Sequence, residues 1–118
     1  MNTLNLFRNE PATKAVADGE AVFHEGEAAD AMYVVLEGQV DVVHGGQAIE
    51  TVGPGGIVGE MALIEQAPRS ATAVARGPVR LAAVSQQRFN FLVQQTPGFA
   101  LHVMRVLVDR LRRTTRRV

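Results

Sequence analysis

Gly59-Glu60-Met61-Ala62-Leu63-Ile64-Glu65-Gln66-Ala67-Pro68-Arg69-Ser70-Ala71 sets an acid and an arginine nine residues apart across a short apolar turn that opens on glycine. Gly55, Gly56 and Gly59 let the backbone bend and come close to a ligand, and residues 60 to 64 can close one helical turn. Free amides at the start of such a turn attract a phosphate. Arg69 can then donate a two-pronged, charge-assisted pair to phosphate oxygens while an ionised Glu60 accepts from a neighbouring sugar hydroxyl. A cyclic nucleotide carries both groups on one small molecule. The competing reading of the two charges is a structural ion pair beside a glycine turn, because partly buried charges seek partners whatever their function.

Outward from this segment, residues 14 to 85 read as short strands broken by turn signals at Asp18-Gly19, Glu25-Gly26, Glu37-Gly38, Gly45-Gly46 and Arg76-Gly77-Pro78. Alternation in Gln39-Val40-Asp41-Val42 and the stretch Thr72 to Val74 fit strands with one buried face. About eight strands of this length predict a mainly β fold, an eight-stranded β-roll or jelly roll of the double-stranded β-helix kind. The segment at 59–71 would then form the mouth of a pocket. Ser85 is placed to cap a helix over residues 86 to 95 with Phe89 and Leu92 on one side, and Thr96-Pro97 starts a long C-terminal helix. In that helix Phe99, Val103 and Leu107 are placed to cover the roll. Leu101, Met104, Val108 and Leu111 form a second apolar seam, which wants a partner helix and predicts a homodimer. The alternative is a helix sunk in a groove of its own roll.

The segment at 59–71 resembles the phosphate-binding cassette of the cyclic-nucleotide-binding domain superfamily, whose pattern runs Phe-Gly-Glu, a small-Leu pair, a spacer, then Arg-(Ser/Thr/Ala)-Ala. The turn at Gly26-Glu27-Ala28-Ala29-Asp30 and the run from Met32 to Val42 around Gly38 are similar to the family's elements before the cassette, so the likeness spans roughly residues 7 to 118. It implies a stand-alone, catabolite activator-like sensor domain over residues 1–118, with the roll at about 14–85 and helices at about 86–118. By resemblance, Glu60 holds the ribose 2′-hydroxyl and Arg69 the cyclic phosphate. Gly59, Met61, Ala62, Ser70 and Ala71 complete the cradle, and Thr114 and Thr115 match the hydroxyl pair that reaches adenine. Cyclic AMP is the favoured ligand, cyclic GMP remains open, and the effector partner is unspecified. Val58 stands where the family prefers phenylalanine.

Composition narrows the remaining classes. The 118 residues suit one domain. There is no cysteine, hence no disulfide framework or thiolate metal site. No apolar run approaches the roughly 20 residues that cross a bilayer, and the start lacks a signal peptide's basic flank, so a cytoplasmic location without membrane contact is expected. A cupin-type metal enzyme would need clustered histidines, whereas His24, His44 and His102 lack paired spacing. No serine sits in a nucleophile elbow, so no enzyme activity, metal or cofactor is expected. The net charge of zero conceals −9 over residues 1–65 and +9 over residues 66–118. The halves attract each other within one fold or across a dimer, or the arginines of the last helix form a solvated face or a nucleic-acid tail. With the chain ending at Val118, no recognition helix follows, which argues against sequence-specific DNA binding unless this is a fragment of a regulator. A degenerate pocket that binds nothing is the other alternative.

Overall fold

The run Ala31-Met32-Tyr33-Val34-Val35-Leu36 is buried throughout, as expected of a strand covered on both faces. It opens β3 (Ala31–His44). The computed structural model describes residues 3–116, and the side chains of residues 4–113. Around β3 the chain forms α1 (Thr3–Phe7), β1 (Thr13–Val16), β2 (Ala21–Phe23), β4 (Gln47–Val52), β5 (Ile57–Val58), α2 (Glu60–Glu65), β6 (Thr72–Ser85), α3 (Gln86–Gln95) and α4 (Pro97–Arg116). The strands make one antiparallel sheet in the order β1-β6-β3-β4, with β2 paired to β6 and β5 to β3.

Strand alternation divides the interior in two. Met32, Val34 and Leu36 join Leu63, Phe89, Phe99 and Val103 beneath the helices, while Tyr33 and Val35 join Val16, Val52, Val58 and Leu81 in a cluster built from strands alone. Val58, the departure from the family pattern, is buried and stands opposite Tyr33 in the ladder. Tyr33 stacks on Phe23 with ring centroids 6.3 Å apart, so aromatic side chains from β2 and β3 fill the roll beside it.

The eight expected strand segments appear as six continuous strands among the described residues, because two of the turn signals bend a strand instead of ending it. β3 and β6 pair from Ala31↔Ser85 to Val43↔Thr72, and their register shifts on either side of Glu37. Gly38 lies at the shift with φ 87°, and a Cβ there would meet the Pro78 carbonyl oxygen at 2.3 Å. Both long strands turn at this point, as bulged strands do. Dividing each at its bend recovers the eight segments of a β-roll.

The helices begin where the capping signals place them. Ser85 accepts a 3.1 Å hydrogen bond from the Arg88 amide at the start of α3, and α4 opens at Pro97. Phe99 and Val103 are buried and Leu107 packs partly buried on the helix-side core, whereas Leu101, Met104, Val108 and Leu111 are exposed. The two faces of α4 are thus divided as the spacing predicts. α1 lies ahead of the predicted roll, held by Phe7, whose ring meets Phe99 edge-on at 6.3 Å and carries Arg88 above it at 5.0 Å. The charge division closes within the chain: Arg76–Asp41, Arg80–Glu37, Arg88–Glu10 and Arg110–Glu50 each join the basic half to the acidic half.

Candidate functional site

Gly59 precedes α2 in the left-handed conformation, φ 83° and ψ 8°. A Cβ at this position would stand 2.6 Å from Arg69 Nη1 and 3.1 Å from Phe23 Cε2, so the close approach of the arginine to the turn requires glycine. α2 itself ends after one and a half turns at Gln66, also left-handed with φ 53°, whose amide returns to the Ala62 carbonyl. That brief turn brings the chain back toward Arg69.

Arg69 is held at its backbone and at both terminal nitrogens. Its amide donates to the Glu27 carbonyl and its carbonyl accepts from the Gly26 amide, each at 2.8 Å, which ties it to the turn before β3. Nη1 donates to the Gly59 carbonyl at 3.1 Å, Nη2 donates to the Ala31 carbonyl at 2.5 Å, and the guanidinium lies 4.1 Å above the Phe23 ring. Only 4% of the residue is exposed. Burial pushes its pKa below the ordinary arginine value, opposed by Tyr33, Asp30 and Glu27 nearby, and burial likewise pushes the Tyr33 hydroxyl upward.

Glu60 is 1% exposed at the first position of α2. Its Oε1 accepts from Arg110 Nη1, and the same guanidinium grips Glu50 through Nε at 2.9 Å and Nη2 at 3.0 Å. No ion pair joins Glu60 to Arg69 among the described residues, so these two buried charges do not neutralise each other. Glu60 Oε2 and Arg69 Nε are buried without a hydrogen-bond partner among the described residues. Buried polar atoms left open in this way are costly, and they are places where a ligand group or water gains most.

A cavity of about 530 Å³ opens between the cassette turn and α4, within the range of small-molecule sites. Gly59, Glu60, Met61, Ala62, Arg69, Ser70 and Ala71, all taken from the sequence, border it. Thr114 and Thr115 fall in the last turns of α4, and their side chains lie outside the described residues. The opposite wall was not anticipated: Ile49 and Glu50 of β4, with Leu107, Arg110, Leu111 and Arg113 of α4. In the sequence Arg110 is one arginine of a basic run. The signal that finds it is helical spacing, since 99, 103, 107 and 110 share one face and the first three cover the roll. Among the described residues no three of His, Asp or Glu converge as a metal site.

With this geometry in hand, comparison with known proteins is informative. Residues 13–96 match the family model described as the cyclic nucleotide-binding domain. The cyclic AMP receptor protein of Thermus thermophilus is 33% identical over 99 residues, covering 80% of this chain and 46% of that protein. Lysophospholipase nte1 of Aspergillus niger is 31% identical over 102 residues, which is 82% of this chain and 7% of that protein. Among solved structures, the catabolite activator protein of Thermus thermophilus has a TM-score of 0.78 at 29% identity, with 88% of this chain and 51% of that chain covered. The chain therefore spans about half or less of each of these three proteins.

Proposed function

Since the chain belongs to the cyclic nucleotide-binding domain family, we propose that residues 1–118 act as one sensor module for a cyclic purine nucleotide, cyclic AMP in preference to cyclic GMP. The single observation that carries this reading is a pair of buried, opposite charges on one cavity wall that leave each other unpaired. Arg69 takes the cyclic phosphate, with the turn at 59–62 and residues 70–71 closing around it. Glu60 accepts from the ribose 2′-hydroxyl, and Leu107, Leu111 and Ile49 offer apolar surface to the base. The preference for cyclic AMP draws support from the name of the Thermus receptor and from the position of Thr114 and Thr115.

In this proposal the module binds and signals without a catalytic step, metal or cofactor, and works in the cytoplasm. No helix among the described residues is long and apolar enough to cross a membrane. The exposed seam of Leu101, Met104, Val108 and Leu111 is the homodimer surface, and ligand occupancy acts on it through α4. The effector it informs is a separate partner, and DNA contact is not part of the proposal. A second reading, a degenerate pocket that binds nothing, is favoured by one observation: Arg110 already donates to Glu60.

Calorimetric titration with cyclic AMP and cyclic GMP separates the two readings. The proposal expects one nucleotide per chain and tighter binding of cyclic AMP; at 100 times Kd, binding stabilises the fold by about 2.7 kcal/mol and raises the Tm accordingly. No heat and an unmoved melting curve with saturating amounts of both compounds would establish the degenerate pocket instead.

A further inference from the structure

Arg110 faces two carboxylates and treats them differently. Nε and Nη2 meet Glu50 Oε1 and Oε2 at 2.9 and 3.0 Å, fork against fork, and Nη2 also donates to the Ile57 carbonyl at 3.0 Å. Glu60 receives only Nη1, on Oε1. Its Oε2, on a side chain 1% exposed, is left open among the described residues. A guanidinium prefers to engage both oxygens of one carboxylate, because two parallel charge-assisted bonds form at once. In this chain Glu50 of β4 takes that bidentate place, and its side chain is largely buried, so solvent screens the pair only weakly.

We propose that Glu50 is a positioning residue for the nucleotide site: by holding Arg110 in a bidentate grip, it keeps that guanidinium from closing on both oxygens of Glu60 and so reserves one oxygen for a ligand hydroxyl. The inference rests on the reading of Glu60 as the acceptor of the ribose 2′-hydroxyl. Without the charge at 50, the nearest carboxylate for the fork is Glu60 itself. Arg110 then caps the open oxygen, and the ligand's 2′-hydroxyl has nothing to donate to, while Arg69 and the phosphate are untouched. Glu50 would in this way set how strongly the site distinguishes a ribonucleotide from its 2′-deoxy counterpart.

The readout is therefore a ratio, Kd for 2′-deoxy cyclic AMP over Kd for cyclic AMP, measured by calorimetry on the full chain. For wild type it is expected to be about 10- to 150-fold, the worth of one charge-assisted hydrogen bond. In Glu50→Gln and Glu50→Ser, made in parallel so that loss of fold in one leaves the other to decide, the ratio falls to within about threefold of unity. Glu50→Asp, which keeps the carboxylate, retains most of the discrimination. In an Arg110→Gln background Glu50→Gln changes the ratio no further, because its effect travels through Arg110. A Glu50 that merely fastens α4 to β4 would weaken both ligands alike and leave the ratio at its wild-type value, and that result overturns the inference. A wild type that binds neither nucleotide overturns the function proposed for the site, a different failure from a wild type and Glu50→Gln that discriminate equally well.

Discussion

Gly59→Ala adds one methyl group at the point where the cassette turn and Arg69 come closest. The left-handed conformation at φ 83° costs an alanine about 1–2 kcal/mol by itself. The new Cβ would lie 2.6 Å from Arg69 Nη1, so the guanidinium must retreat by roughly 0.8 Å to reach an ordinary contact. That retreat stretches the 3.1 Å bond from the charged Nη1 to the Gly59 carbonyl, a class of bond worth about 1.5–3 kcal/mol. The expected loss is about 2.5–5 kcal/mol, a Tm drop on the order of 10–20 °C for a chain of this size. Because Arg69 no longer stands where a phosphate needs it, affinity for cyclic AMP should fall on the order of 10- to 150-fold. Gly19→Ala is the matched control: Gly19 has φ 81° and nothing within 4 Å of its would-be Cβ, so it carries the conformational cost alone and should bind normally. Thermal melting and calorimetry on the two variants isolate the contact with Arg69. A Gly59→Ala protein that melts with Gly19→Ala and binds like wild type would show that the close approach has no functional weight.

Other perturbations test separate parts of the same picture. Arg69→Ala, which removes the proposed phosphate donor, should weaken cyclic AMP by about 10- to 150-fold or more in calorimetry, and equal affinity would discredit the assignment. Leu101→Glu combined with Val108→Glu should convert a dimer into folded monomers in sedimentation equilibrium, since both side chains are about half exposed on the seam; dimers that persist would locate the interface elsewhere. His102 has its pKa lowered from 6.5, chiefly by burial and then by Arg105, so the unfolded chain takes the proton first as pH falls. Stability should be unaffected by this group above about pH 6.5 and decline as pH drops below it. His102→Gln should flatten that decline in melts across pH 5–8, and an unchanged slope would assign the effect to other groups.

What the sequence disclosed and what it withheld divide along physical lines. Ser85, Thr96-Pro97 and the two faces of α4 were legible because capping and helical period are local, fixed within a few residues of the signal. The cassette was legible because glycine, acid and arginine are set close along the chain. The bends of β3 and β6 look like strand ends in the sequence, since Glu37-Gly38 and Arg76-Gly77-Pro78 carry the composition of a turn and only the approach of Gly38 to the Pro78 carbonyl reveals a shared bend. α1 escaped notice because five residues show no period, and Phe7 is recognised as core only once Phe99 is beside it. The convergence of Arg110 and Glu50 on Glu60 was hidden for the same reason. Arg110 lies 50 and 60 positions from the two acids, and no local pattern ranks one arginine of a basic helix above its neighbours.

The span matched to the family model stops at residue 96, one position short of the helix that supplies Leu107, Arg110 and Arg113 to the cavity. A graft that moved only the recognised segment into another host would carry the cassette and its arginine, yet arrive without the partner that occupies Glu60. A transplant that keeps the cavity whole has to carry the cassette together with its terminal helix, because the two walls come from stretches on either side of residue 96.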